Sequence, residues 1–202
     1  MKQKPESYSD FTLEHLSDMF GIVGIYKRLD LPVLPCAVPD WLVAQLKAVE
    51  GLPNATEKAK SEFFITPILT ALFAANPDSF KYFSGYTFDV DKKNALKGRC
   101  DYLLSKSKSA FIDAPVFGIF EAKDDNLEHW YGQCGAEMYA SMLFNAQKGK
   151  PIEIIHGAVT NGLNWQFLRL QGTDLQIDTH YYNLENLSTL LGTLQGIVSF
   201  YD

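Results

Sequence analysis

The sequence predicts an α/β protein in which helices flank a mixed central sheet. Two apolar runs, at 98–104 and 115–123, are rich in residues that favour a pleated, half-buried surface. A segment with helical spacing of apolar residues follows at 126–144, and another strand-like run lies at 152–160. A strand, helix, strand unit of this length usually joins two parallel strands, so we expect a sheet with both parallel and antiparallel pairs.

The first part of the chain, residues 1–55, is predicted to be an N-terminal helical addition to a core domain at 56–202. Apolar spacing predicts a short helix over 12–20. A second helix is predicted over 40–49, and it ends before Gly51, a residue that commonly follows a helix. With 202 residues, nearly half of them hydrophobic, the chain is long enough to bury a substantial core.

The core domain is predicted to begin with a long amphipathic helix. Its apolar spacing covers 58–75, and Asn54 or Thr56 is the expected cap. Pro67 lies inside this helix and predicts a kink, because proline has no N–H for the helical hydrogen bond. An alternating aromatic run over 81–90 then predicts the first core strand.

The last third of the chain predicts two further strands and a closing helix. Asn161 and Gly162 are a strong turn signal between the strand at 152–160 and a strand at 165–170. A further strand is expected over 175–181. The segment 184–201 has leucines at helical spacing, and it is expected either to cover one face of the sheet or to form a partner surface.

Asp101, Glu121 and Lys123 lie at the ends of the two central strand runs. Residues alternate faces along a strand, so Glu121 and Lys123 are expected on one side with Ala122 turned away. Two carboxylates at the edge of an apolar core need a cation, and Mg²⁺ and Mn²⁺ prefer oxygen ligands. A nearby lysine can orient an attacking water and offset charge on phosphoryl oxygens. These residues therefore predict metal-dependent phosphodiester chemistry, although the same pattern also occurs as an exposed charge pair at a strand end.

The order of these residues resembles the active site of the PD-(D/E)xK nuclease superfamily, which has the restriction-endonuclease-like fold. The resemblance covers about 58–170 and implies an αβββαβ core. The stretch 157–167 is similar to the strand and hairpin of the N-terminal nuclease domains of type I restriction motor subunits. The chain departs from the family motif at Cys100, which precedes Asp101 where the family commonly has proline.

The resemblance implies a set of site residues and a cofactor. The catalytic positions that it indicates are Asp101, Glu121, Lys123, Glu62 and Gln133. Asp101, Glu121, Glu62 and the backbone carbonyl of Ala122 are expected to hold Mg²⁺ (or Mn²⁺). The implied activity is that of an endonuclease-like phosphodiesterase, which hydrolyses nucleic acid, DNA in the first instance, by a metal-activated water. Glu62 is alternatively an exposed glutamate that favours a helix N-terminus, and Gln133 a surface glutamine.

The charge of the chain does not decide whether it binds nucleic acid directly. A net charge of −6 argues against a protein that grips duplex DNA unaided, because phosphate neutralisation by Lys and Arg dominates that affinity. Lys97 and Arg99 belong to a local basic cluster that is expected either to touch a phosphate backbone or to be a solvated loop. A second interpretation is a catalytically inactive nuclease-fold binding or regulatory module in a defence or repair complex. A third is a homodimer formed through the C-terminal helix.

The remaining features predict a soluble, cytoplasmic protein without a membrane partner. No apolar stretch approaches the roughly twenty residues that span a bilayer, and residues 1–7 lack the apolar core of a signal peptide. Cys36, Cys100 and Cys134 are widely spaced and match no zinc or disulfide pattern, so reduced, packed thiols are expected.

Overall fold

A seven-stranded open sheet forms the centre of the part of the chain that the structure, a computed structural model, describes: residues 4–123 and 126–202. The strand order is β1-β7-β6-β5-β4-β3-β2. β1 pairs in parallel with β7 and β4 with β5, while the other neighbours are antiparallel. The strands are β1 (Val23–Lys27), β2 (Lys81–Thr87), β3 (Arg99–Ser105), β4 (Val116–Ala122), β5 (Ile154–Thr160), β6 (Asn164–Gln171) and β7 (Asp174–Asn183).

Helices cover both faces of the sheet. One buried cluster joins residues of α1 and α5 to the sheet, and a second joins residues of α2, α4 and α6 to the other face. The helices are α1 (Leu13–Phe20), α2 (Asp40–Ala48), α3 (Glu57–Lys60), α4 (Thr66–Ala75), α5 (Tyr131–Gln147) and α6 (Leu187–Ser199). The predicted α/β architecture with a mixed sheet between helices is confirmed. Of the helices in the described ranges, none has the length and apolarity needed to cross a membrane.

The central strand β4 is buried along its whole length. It is antiparallel to β3, with Tyr102 opposite Phe120, and parallel to β5, with Ala122 opposite Thr160. α5 makes the crossover between β4 and β5, which confirms the predicted strand, helix, strand unit. A strand that is covered by helices on both faces needs apolar residues at almost every position, which explains its continuous apolar run.

The predicted helix over 58–75 is a helical segment with an irregular middle. It begins after Thr56, whose side chain accepts a hydrogen bond from the N–H of Ala59 as expected of a cap. A π-helical turn (Ser61–Ile65) then separates α3 from α4, and Thr66 donates to the carbonyl of Ser61, five residues back. This turn ends two residues before Pro67, which has no N–H for the carbonyl four residues earlier.

The N-terminal segment is not purely helical, so this part of the prediction is wrong. β1 is the edge strand of the sheet, and Val23 lies opposite Asp174. Its pairing partners are about 150 residues away in the chain, and the strand is short and largely exposed, so no local pattern indicated it. Tyr8 and Leu16 are buried in the same cluster as residues of α5, which ties this segment to the sheet.

The C-terminal helix α6 covers a face of the sheet, which is the first of the two roles expected of it. Leu190, Leu194 and Ile197 are buried in the cluster shared with α4. These side chains are therefore not available for the contact between two copies that the dimer interpretation assigned to this helix. β2 ends at Thr87, earlier than predicted, although the N–H groups of Phe88 and Val90 still donate to the carbonyls of Gly98 and Leu96 before the 3₁₀ turn that Asp91 caps.

Candidate active site

Asp101 lies beside the end of β4. Because β3 and β4 are antiparallel, the start of β3 adjoins the end of β4. The Oδ2 atom of Asp101 accepts a hydrogen bond of 2.9 Å from the N–H of Ala122. This bond anchors the aspartate against the backbone that joins Glu121 to Lys123, although it lies some twenty residues away in sequence.

Glu121 and Lys123 project to the same side of β4. The Nζ atom of Lys123 lies 3.1 Å from Oε2 of Glu121, while the Ala122 side chain is buried in the cluster on the opposite face. The ammonium group also lies 4.3 Å from the centre of the Trp130 ring and 3.9 Å from Oε2 of Glu57. The structure thus brings together the three residues that the sequence singled out.

Lys123 is a charged donor in this site. Burial acts to lower its pKa, but the carboxylates of Glu121, Asp101 and Glu57 outweigh burial and raise the pKa above its ordinary value. Lys123 therefore keeps its proton at neutral pH. It can stabilise negative charge and orient a water, whereas a role as proton acceptor is disfavoured.

Gln133 connects Glu121 to a further carboxyl group, that of Glu137. The Nε2 atom of Gln133 donates to Oε2 of Glu121 at 2.7 Å and to Oε1 of Glu137 at 3.1 Å. Gln133 and Glu137 are four residues apart on α5, so they lie on one face of the helix. Sequence reasoning missed Glu137, and the available signal was its position four residues after Gln133 in the predicted helix.

Several oxygens in this cluster have no hydrogen-bond partner among the described residues. They are Oε1 of Glu121, Oε1 of Gln133 and Oε2 of Glu137. Both glutamates are fully buried and Gln133 is 5 % exposed, so bulk water does not solvate these atoms. Buried polar atoms are nearly always paired, and an unpaired one costs about 1–3 kcal/mol, so this cluster requires an explanation.

Burial changes the acidity of both glutamates. It raises the pKa of Glu121 well above its ordinary value, and the charge of the neighbouring Glu137 carboxylate adds to this effect. Burial likewise raises the pKa of Glu137 to about 7. Without a cation, the pair therefore holds a proton near neutral pH, and that proton gives one of the bare oxygens a donor.

The donor set fits a hard divalent cation held by two carboxylates. Asp101 has one oxygen that Ala122 does not use, and Oε1 of Glu121 has no partner. Mg²⁺ is usually bound by one or two carboxylates, with waters and phosphate oxygens completing the shell. Within 4–123 and 126–202, no three His, Cys, Asp or Glu side chains are grouped to hold a metal ion. The expected role of the Ala122 carbonyl stays a prediction.

Glu62 lies in the π-helical turn and lines an open cleft of about 610 Å³ together with Asp101. Its side chain is half exposed, and its carboxylate accepts a hydrogen bond of 2.5 Å from Lys58. The structure therefore places Glu62 at the rim of the site and does not bring it into the buried cluster. Its expected role as a metal ligand stays a prediction.

The two basic residues expected to contact nucleic acid face different surroundings. Arg99 is exposed and lines the same cleft as Asp101, and its guanidinium group lies against Gly85, where a side chain would collide with it. A hydrogen bond from Lys92 lowers the pKa of Asp89, and the charge of Lys97 contributes to the same shift. Lys97 thus lies close to Asp89, and it is not among the residues that line the cleft.

The cysteines are packed thiols, as the sequence predicts. All three are free, and Cys100 and Cys134 are fully buried. Burial raises the pKa of both thiols, and the charges of Glu137 and Glu121 add to the effect. A thiol with a raised pKa is a poor nucleophile, so cysteine chemistry does not account for this site.

Comparisons with known proteins do not assign a family to this chain. No protein-family model matches it, and no curated protein or solved structure is significantly similar to it.

Proposed function

We propose that this chain is a metal-dependent nuclease with a restriction-endonuclease-like core, which hydrolyses phosphodiester bonds of nucleic acid, DNA in the first instance. The observation that carries the proposal is the meeting of Asp101, Glu121 and Lys123 at one end of β3 and β4. The element order α4, β2, β3, β4, α5, β5 supports it, since it is the order of the αβββαβ core that the motif implies.

Asp101 and Glu121 are the residues that would hold the cation. Bound Mg²⁺ or Mn²⁺ supplies positive charge at the scissile phosphate and lowers the pKa of water. The ammonium group of Lys123 orients the attacking water and stabilises negative charge on the phosphoryl oxygens. Gln133 donates to Oε2 of Glu121 and so fixes the rotation of that carboxylate.

Substrate binding must overcome the acidic net charge of the chain. Arg99 supports the proposal because its exposed guanidinium group lines the cleft that contains Asp101. A phosphate contact there would hold the nucleic acid backbone next to the proposed metal ligands. A bound cation adds further positive charge where the phosphate must lie.

A second candidate function is a catalytically inactive binding or regulatory module of a defence or repair complex. The burial of Glu121 favours it, because a carboxyl group with a raised pKa is neutral when no cation is present. A chain that never binds a cation would then keep the fold with a protonated, unreactive pair.

A nicking assay on supercoiled plasmid with Mn²⁺ separates these two functions. We expect the wild-type chain to nick the plasmid and Lys123→Ala to reduce the rate by about 100-fold or more, since a positioned charged donor typically contributes that much. Glu121 can take up a proton when the ammonium group is removed, so circular dichroism should show a folded variant.

Lys27→Ala is the matched control, because it removes an exposed lysine from β1 at the edge of the sheet. It should nick at the wild-type rate. Equal nicking by the wild type and Lys123→Ala would contradict the catalytic assignment. A folded wild type that nicks neither plasmid, single-stranded DNA nor RNA would favour the module.

A further inference from the structure

Two exposed tyrosines, Tyr26 and Tyr181, form an aromatic surface on the face of the sheet that α5 covers. Tyr26 is 57 % exposed and Tyr181 is 44 % exposed, while Tyr131 at the start of α5 is buried. The ring centres of Tyr26 and Tyr131 are 6.3 Å apart, so Tyr131 covers at most one face of the Tyr26 ring. Burial raises the pKa of Tyr131, and Tyr181 and Tyr26 add to this shift, so the three side chains are neighbours.

The aromatic surface is continuous with the candidate site. One row of directly paired residues crosses the sheet from Glu121 on β4 to Tyr181 on β7, and directly paired residues project from the same face. Three strand spacings of about 4.8 Å make this row roughly 14 Å long. Beside it, the centre of the Trp130 ring lies 4.3 Å from Nζ of Lys123, and Trp130 directly precedes Tyr131 in the chain. A stacked strand that leaves the proposed metal site along this row reaches Tyr181 after roughly four nucleotides of about 3.4 Å each.

The charge around the aromatic surface favours contact with bases over contact with phosphates. The chain has a net charge of −6, so phosphate neutralisation contributes little general affinity. Burial is the main cause that raises the pKa of Tyr26, and the charge of Glu128 is the next, which places a carboxylate near the ring. This carboxylate repels phosphate, whereas the uncharged face of a base can stack on a tyrosine ring.

We propose that Tyr26 and Tyr181 stack against unpaired bases of single-stranded DNA and hold the strand beside the proposed catalytic site. The inference rests on the proposed function and narrows its substrate class, because a duplex keeps its bases paired and stacked inside the helix. Negative supercoiling favours local unpairing, so nicking of a supercoiled plasmid agrees with a preference for single strands.

Fluorescence anisotropy with a labelled oligothymidine tests the proposal in a chelating buffer, which prevents metal-dependent cleavage. A strand of about 16 nucleotides matches the upper site size of known stacking surfaces. We expect the wild type to bind this strand more tightly than the same strand paired with its complement. Replacing both rings, with Tyr26→Ala and Tyr181→Ala in one chain, should weaken single-strand binding about fivefold or more.

Phe111→Ala is the matched control, because it removes an exposed ring from the loop between β3 and β4, at the opposite end of β4 from Glu121. It should bind the strand like the wild type. Tyr26→Phe with Tyr181→Phe keeps both rings and removes the hydroxyl groups, so it should also bind like the wild type if stacking provides the contact. If the double alanine variant fails to fold, Tyr181→Leu replaces it, since leucine keeps apolar bulk without a flat face.

Equal single-strand affinity in the wild type and in the alanine or leucine variant overturns the inference, and so does a wild type that binds the duplex as tightly as the single strand. A wild-type dimer that the alanine variant dissociates, as measured by light scattering, also overturns it and assigns the rings to a contact between copies. The nicking assay separates the two proposals. Nicking with binding that does not depend on the rings removes only the aromatic surface, whereas ring-dependent binding without nicking removes the nuclease and leaves a surface for single strands.

Discussion

The two ends of β4 differ in how completely their buried polar groups are hydrogen-bonded. At the first end, the side chain of Asn145 pairs with both backbone groups of Val116, accepting from its N–H at 2.8 Å and donating to its carbonyl at 2.7 Å. Nearby on β5, Nδ1 of His156 lies 2.7 Å from the hydroxyl of Tyr201, which donates to the carbonyl of Ile154. Each of these side chains is matched by a partner from the chain itself.

At the second end of β4, the buried polar groups are not all hydrogen-bonded. Glu121, Gln133 and Glu137 are as deeply buried as Asn145 and His156, yet each keeps an oxygen without a donor among the described residues. A fully paired polar network stabilises one packing arrangement, whereas an incomplete one is stable only with an added proton or ion. The first end is therefore completed by the chain itself, whereas the second end needs a proton on its glutamate pair, or the cation of the proposed function, to complete it.

At neutral pH, the largest expected effect on stability is at the first end of β4. Asn145→Ala should lower the free energy of unfolding by about 2–4 kcal/mol, because it leaves two buried backbone groups of Val116 without partners. Denaturant unfolding measures this change. Asn164→Ala, at an exposed position at the start of β6, should change stability by less than about 0.5 kcal/mol. If both variants lose equally little free energy of unfolding, the hydrogen bonds of Asn145 do not stabilise the first end as described.

The next effect is a loss of stability in acid through His156. Burial lowers the pKa of His156 to about 3 from an ordinary value of 6.5, with the charge of Arg169 as a lesser cause. Between these values the unfolded chain binds a proton that the folded chain excludes, so stability falls as the pH decreases from about 6.5 towards 3. The melting temperature of His156→Gln should fall less over this range. Parallel curves for the two proteins would show that His156 does not titrate as described.

The smallest effect is a loss of stability as the pH rises, opposite to that of His156, and it arises at the second end of β4. The pKa of Glu137 is about 7 in the folded chain against an ordinary value of 4.5, so the folded chain holds a proton that the unfolded chain releases. In a chelating buffer, stability should therefore fall as the pH rises from about 4.5 to 7. Glu137→Gln should reduce this fall, as measured by melting temperature. A wild type and variant with the same dependence on pH would contradict the assignment of buried, proton-holding carboxyl groups.

Local patterns in the sequence predicted the architecture and the core of the candidate site. The alternation along 115–123 places Glu121 and Lys123 on one side, and the antiparallel pairing of neighbouring strands brings Asp101 to them. These features depend on a few consecutive residues and on common rules of chain connection. β1 escaped prediction because its pairing with β7 joins residues that are far apart in sequence.

The same distinction separates the parts of the site. Glu62 occupies the expected helical segment, and its pairing with Lys58, four residues earlier, is a local contact that the spacing of the two residues allows. Glu137 carried no motif, and its importance emerges from its contacts with Gln133 and Glu121. Sequence spacing indicates which face a residue occupies, while it does not indicate which neighbours remove the water from that face.

The sequence by itself determined the α/β class, the order of the core helices and strands along the chain and the identity of the acidic and basic residues at the strand ends. Hydrophobic periodicity and turn chemistry are local, so they can be interpreted over ten or twenty residues. The tertiary structure alone decided which carboxyl groups are buried, which oxygens lack donors and how the pKa values shift. Desolvation and hydrogen bonding depend on atoms that distant parts of the chain bring together, and only the folded arrangement specifies them.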